Sequence, residues 1–288
     1  MTRKKIAVLL TAITLSGATC FAAADPVTAG FTYASDSDGI TTHSYKLSTA
    51  AEGKPFSFDL YRTRIKQGAT ELNGTTFVAK AQRPLSDNES LTLWGGYATN
   101  KLNHFVPAAL MYNSRNKAGG LWLAVGREAI DTVAANREGL YYNTASVSYL
   151  HKTDQTTIVL DAKQYHYSDS NRRESYSATV SQTLSPRLQA GIRYTYTDAD
   201  FARPGTYYVP LGESVVSFVP EWTIPLGKGS KLLLTGELSL TAHDKTGSIH
   251  RRVAEAGIEM KSLYIGTKYY RSGDYWSRTY RLNYSFPL

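Results

Sequence analysis

The residues best suited by type and spacing to covalent chemistry are His166, Ser168 and Asn171. Side chains two apart on an extended segment share a face, so a histidine at 166 could take the proton of a serine at 168 and make its hydroxyl a nucleophile. The run Ser168-Asp169-Ser170-Asn171 is also ordinary turn composition, because these side chains bond their own backbone in turns. No catalytic residue is assigned on it. A second set points to non-covalent chemistry. Asp161, Lys163, Arg173, Arg193, Glu237, Glu255, Glu259, Lys268 and Arg281 fall on the polar side of alternating segments, together with Trp94, Trp122, Tyr264 and Tyr270. Mixed charges keep a wall wet and pair across neighbouring strands; flat rings either pack or stack on sugars. His43, His104, His151, His243 and His250 lack metal-ligand spacing, and no glycine-rich loop leads from a strand into a helix, so no metal or other cofactor is expected.

The elements that must position these groups are strands. From Val27 onward the hydrophobic period is two rather than 3.6, recurring roughly every 16 residues with turn residues between. Leu188, Ala190, Ile192, Tyr194 and Tyr196 oppose Gln189, Arg193, Thr195 and Thr197, and Leu232, Leu234, Leu238 and Leu240 oppose Thr235, Glu237, Ser239 and Thr241. The spacing predicts strands at 27–34, 40–49, 55–66, 75–83, 90–99, 105–113, 120–128, 140–151, 155–167, 172–184, 187–198, 214–225, 230–242, 249–260, 262–270 and 276–288. Pro107 and Pro220 lie inside two of them, where a missing N–H predicts a bulge or an edge.

The N-terminus reads as an export signal covering residues 1–24. Arg3, Lys4 and Lys5 precede an apolar run from Ile6 to Ala18, and Ala22-Ala23-Ala24 supplies a small-residue cleavage site. Cleavage before Cys20 would need a leucine within Gly17-Ala18-Thr19, which has none, so lipidation is not expected. Cys20 is the only cysteine, and its loss with the signal leaves no thiol for a disulfide or a metal. The formal charge of +8 falls to +5 without Arg3, Lys4 and Lys5, and it is dispersed; no basic run suggests nucleic acid. No other stretch approaches the roughly 20 apolar residues of a membrane-spanning helix.

In the last stretch, Tyr280, Leu282, Tyr284, Phe286 and Leu288 alternate with Thr279, Arg281, Asn283 and Ser285. This resembles the terminal strand of bacterial outer-membrane β-barrels, in which the apolar face meets lipid and the strand is the insertion signal, although Pro287 and Leu288 follow the aromatic end here. The resemblance implies an all-β, transmembrane, antiparallel up-and-down β-barrel over residues 25–288. The count above gives sixteen strands, with fourteen as the alternative. Outer-membrane lipid and the barrel-assembly machinery are then the expected partners. Short connections such as Lys152-Thr153-Asp154 and Gly227-Lys228-Gly229 alternate with longer ones at 129–139, 199–213 and 243–248, the asymmetry of periplasmic turns and extracellular loops. So wide a barrel holds water unless a loop such as 199–213 constricts it. Tyr97, Tyr141, Tyr149, Tyr269, Tyr280 and Tyr284 fall outward, as an interfacial girdle would.

Three stretches carry a narrower resemblance. Tyr167 to Arg173, Tyr207-Tyr208-Val209-Pro210 and Arg127-Glu128-Ala129-Ile130-Asp131-Thr132 look like features of barrel domains in exopolysaccharide-export porins, over roughly residues 120–288. That implies a pore of the Gram-negative outer membrane, with a polysaccharide and periplasmic export partners. The long helical-repeat region that usually precedes such barrels is not in this sequence and is expected on a separate protein or to be absent. Two alternatives stand beside the pore: a structural or receptor barrel acting through its loops, and a lipid-modifying enzyme. His166 and Ser168 are similar to the histidine-serine motif of lipid A deacylases, but Asp169 stands where an asparagine should adjoin the serine, and Gln164 where the motif has an aromatic.

Overall fold

A segment with one apolar and one polar face buries neither by itself; many such segments do so together by pairing edge to edge until no edge is left. The computed structural model of the chain describes residues 26–49, 55–130, 132–203, 206–207, 209–243 and 247–287. The export signal expected at 1–24 lies outside the described residues. The strands are β1 (Pro26–Asp36), β2 (Ile40–Thr49), β3 (Phe56–Gln67), β4 (Thr70–Ser86), β5 (Glu89–Asn100), β6 (His104–Phe105), β7 (Ala108–Asn116), β8 (Gly119–Ala129) and β9 (Tyr141–Lys152). They continue as β10 (Thr156–Tyr167), β11 (Arg172–Ser185), β12 (Leu188–Ala199), β13 (Glu213–Gly227), β14 (Ser230–His243), β15 (Gly247–Met260), β16 (Leu263–Ser272) and β17 (Tyr275–Pro287). Each pairs antiparallel with the next in sequence, except that β6 and β7 both pair with β5, and β17 returns to β1 in a register running from Pro26↔Pro287 to Asp36↔Ser277. The sheet is a closed up-and-down barrel.

Sixteen staves make this wall. β6 and β7 are one stave in two pieces, since Ala98↔Phe105 and Gly95↔Ala108 continue a single register along β5. Pro107 causes the break by lacking an N–H, while its carbonyl still accepts from Gly96 at 2.9 Å. Pro220 acts similarly. Phe218↔Leu238 and Glu221↔Thr235 flank it in the same register, so the ladder is interrupted opposite Gly236 without the expected bulge. The register shifts that do occur sit at Pro84/Ser86, Thr183/Ser185 and Pro225/Gly227, next to the tight turns of one rim.

That rim carries turns at 87–88, 117–118, 153–155, 186–187, 228–229 and 261–262. At one of them Gly227, Lys228 and Gly229 have φ of 87°, 52° and 77°, a left-handed run that glycine on both sides makes accessible. The opposite rim carries the two longest connections, 130–140 and 200–212, which identifies it as the outer rim. The first of them contains helix α1 (Val133–Glu138). Thr132 caps its N-terminus by accepting from the Ala135 N–H at 3.1 Å, and Gly139 ends it at φ 69°. A helix of one and a half turns has little stability by itself, so it depends on what it packs against.

The outward face is apolar and open: Ile192 is 61% exposed and Leu238 60%. Among the described residues, the buried apolar cluster is instead Ile130, Ala135, Tyr167, Tyr207 and Val209, inside the outer rim. A barrel with its greasy residues outside and its one compact core under its loops is built for lipid.

Candidate functional site

The ladder registers place Asp161, Lys163, Arg173, Arg193, Glu237, Glu255, Glu259, Lys268 and Arg281 on the face opposite Tyr280, Leu282 and Tyr284, which is the lumen side. Trp94, Trp122, Tyr264 and Tyr270 lie on that side as well. Opposite charges meet across strands: Arg193 and Glu237 at 3.7 Å, Arg281 and Glu255 at 3.7 Å, Lys231 and Glu259 at 3.1 Å. Asp161 accepts from the Ser177 hydroxyl at 3.0 Å, and the cations of Lys163 and Arg173 lie 4.7 and 4.9 Å from the Tyr165 ring centre. The wall is therefore wet but largely self-neutralised.

Two of the aromatics lie flat along it. A side chain at Gly257 or Gly266 would collide with the Tyr264 ring, and one at Gly120 would come within 2.8 Å of Trp122. Glycine at these places lets each ring rest on the backbone, and the Arg115 guanidinium lies 5.3 Å from the centre of the Trp122 ring. Trp94 borders a cavity of about 580 Å³ between β3–β8 and α1. Tyr270 packs edge-on against Tyr275 at 6.0 Å.

Sequence reasoning missed the most buried charge of the wall. Asp59 is 3% exposed and takes Lys80 at 2.5 Å, Lys46 at 3.7 Å and the Tyr61 hydroxyl at 3.1 Å, as well as the Ser48 hydroxyl. Alternation of Phe58 and Leu60 with Asp59 and Tyr61 was the available signal. Arg251 and Glu213 form a second such pair. Both belong to the same lumen face.

At the outer mouth the long connections fold inward as a clasp. Tyr207 stacks on Tyr167 at 4.6 Å, and its hydroxyl donates to Asp169 at 2.8 Å. Asn171, fully buried, donates to the Phe201 carbonyl at 2.9 Å and to the Tyr207 oxygen at 3.2 Å. Arg203 reaches Glu138 at 2.5 Å, and its Nε lies 3.1 Å from Asp169 as an off-axis ion pair. The Thr132 hydroxyl donates to the Thr206 carbonyl, and Asn136 on α1 accepts from Asn100 of β5 at 2.7 Å. Burial pushes the Tyr207 phenol up to about 12; the Asn171 bond opposes this and the Asp169 carboxylate adds to it. All three stretches with the narrower resemblance, through Ile130 and Thr132, Tyr167 to Asn171, and Tyr207 and Val209, meet in this clasp.

No protein-family model matches the sequence, and no curated protein does. Solved structures match it throughout. A bacterial polysaccharide outer-membrane secretin superposes with a TM-score of 0.71 over 91% of this chain and 99% of its own, at 12% identity. Two Pseudomonas aeruginosa structures, OccK3 (OpdO) and OccK11 (OpdR), give 0.54 and 0.52 at 10% and 11% identity, each over 92% of this chain and 96% of theirs. The fold is that of a porin-like outer-membrane β-barrel.

In this barrel the candidate base and nucleophile do not meet. His166 projects to the outward face at the end of β10, whereas the Ser168 hydroxyl accepts from the Tyr141 N–H at 3.1 Å. Asn171 faces neither; it holds the clasp. The run is the turn its composition suggests, with Ser170 at φ 71° and the Asn171 N–H donating to Asp169 at 3.2 Å. Among the described residues no group of three or more His, Cys, Asp and Glu could hold a metal.

Proposed function

We propose that the barrel is a pore for a polar, hydroxyl-rich solute, and that a secreted polysaccharide is the solute class its wall suits best. The carrying observation is that Tyr264 and Trp122 rest on glycines of a lumen wall whose opposite charges meet across strands. A self-neutralised wall holds no ion strongly, while an aromatic face takes the C–H face of a sugar ring weakly and reversibly. Weak, repeated contacts let a chain slide. The likeness to a polysaccharide secretin supports the same reading. Assembly machinery and periplasmic export proteins are the partners this role requires.

The test is conductance in planar bilayers. The wild type, or the variant lacking 200–212, should form channels, and a neutral glucan oligomer should block them transiently; Trp122→Ala and Tyr264→Ala together should shorten the blocks. Absence of channels from both proteins refutes the pore. Channels that glucan never blocks refute the sugar while sparing the pore.

A further inference from the structure

His166, which finds no catalytic role, belongs to a row on the outward face. Arg127 of β8 stands opposite Asn143, Asn143 opposite His166, and His166 opposite Arg172 of β11, so three basic side chains form one row across four neighbouring strands. Neighbouring strands lie about 4.8 Å apart, which makes the row about 14 Å wide. Arg127, His166 and Arg172 are exposed, and the row lies just inside the outer rim. The Arg127 Nε donates to Asn143 at 2.9 Å and its guanidinium lies 4.8 Å from the Tyr141 ring centre, which orients it and leaves its terminal nitrogens to donate. Among the described residues neither Arg127 nor Arg172 has a carboxylate partner within ion-pair distance.

Toward the membrane centre from this row the wall carries a shallow groove of about 450 Å³. Ala145 and Ala162 form its floor, and Leu123, Val125, Val147 and Tyr176 its sides. Glu174, the acidic group between row and groove, is engaged by Gln164 at 3.2 Å and by the Tyr176 hydroxyl at 2.8 Å. Asp198, opposite Glu174 on β12, accepts the N–H groups of Ala199 and Gly212. These two carboxylates are thus turned to partners other than the arginines, and Asp200, whose N–H donates to the Arg172 carbonyl at 3.1 Å, makes no ion pair with Arg172 among the described residues.

A cationic row above an apolar groove, on a face that meets lipid, matches an anionic amphiphile. A second copy of this chain does not suit it, because a two-fold contact here would set the same cations against one another. We propose that this patch binds a phosphate-bearing lipid of the outer leaflet, with its phosphate between Arg127 and Arg172 beside His166 and one acyl chain laid over Ala145 and Ala162. Arginine forks suit phosphate oxygens, and lipid around them screens charge less than water does.

Native mass spectrometry of the purified full chain in detergent, titrated with lipid A, dephosphorylated lipid A or inorganic phosphate, tests the site independently of the pore reading. The wild type should retain lipid A. Charge-assisted hydrogen bonds set the expected loss at about tenfold for Arg127→Ala with Arg172→Ala, and for the dephosphorylated lipid. The corresponding double lysine variant should recover part of the binding and Ala162→Trp, which fills the groove and leaves the cations in place, should also lose it. Arg271→Ala, outward on β16 at the same rim, should bind as the wild type does. Wild type that retains no lipid A, equal retention by the double alanine variant, or equal loss in Arg271→Ala overturns the proposal. So does binding of inorganic phosphate as strong as that of the lipid.

Discussion

The rings of Tyr167 and Tyr207 stack at 4.6 Å with 11° between their planes, joining the end of β10 to the loop that follows β12. Tyr167 is a wall residue and Tyr207 a loop residue, so this contact decides whether the loop lies in the lumen or out of it. Tyr207→Ala should release the loop and raise single-channel conductance measurably, whereas Tyr207→Phe, which keeps the ring and loses the bonds to Asp169 and Asn171, should raise it less.

The same phenol predicts an alkaline dependence. Its folded value near 12 lies above the ordinary 10.0, so the folded clasp favours the neutral form. That contribution is complete below pH 10 and is lost as pH rises through about 12. Conductance of the wild type should increase over this window, while Tyr207→Phe should show a flatter profile. Equal profiles for the two would remove Tyr207 as the titrating group.

Arg203 ties α1 to the turn after β10 through Glu138 and Asp169. Half-exposed pairs of this kind contribute about 1 kcal/mol together, so Arg203→Ala should lengthen the open state about fivefold in single-channel records. The two freed carboxylates should also move the reversal potential toward cations.

Asp59→Asn removes the anion that Lys46 and Lys80 share. Breaking a fully buried pair costs about 3–5 kcal/mol, but these lysines keep part of their hydration, so about 1–2 kcal/mol is expected here. Reversal potentials in a salt gradient should shift toward anions, and urea unfolding from liposomes should show the modest loss of stability.

The two faces should differ in their tolerance of charge. Leu238→Lys sets an ammonium in lipid near the middle of β14 and should cost about 2–4 kcal/mol, while Thr235→Lys on the lumen face should cost far less. Equal losses in urea titrations would mean that the inward and outward assignments are wrong.

These faces were legible because lipid permits only one sign of hydrophobicity on its side. Ile192 against Arg193, or Leu238 against Glu237, announces the face directly, and sixteen segments located this way return as sixteen staves. Legibility fails where the chain leaves the lipid. β4 runs from Thr70 to Ser86, well beyond the predicted 75–83, because Glu71 and Asn73 point outward among other polar groups near the outer rim, where alternation carries no penalty. It fails most at the clasp. The three stretches that form it stand out in the sequence, but a stack between a strand end and a distant loop leaves no period, and Asn171 reads as a turn residue whether or not it is buried. Asp59 was hidden differently, since a lone carboxylate on a polar face gives no sign of the two lysines that neighbouring strands bring to it.

The seam between β1 and β17, with Thr28 and Ser285 joined by a hydroxyl contact of 2.8 Å, makes the first and last strands mutual neighbours. Every other stave can find its partner as soon as the next hairpin exists, but this one waits for the whole polypeptide. Until then the sheet has two bare margins, each able to capture a strand from another molecule. A chain shortened by its last stave should therefore not settle as a smaller cylinder; it should remain adhesive, and multimers linked through β1 should mark the failure.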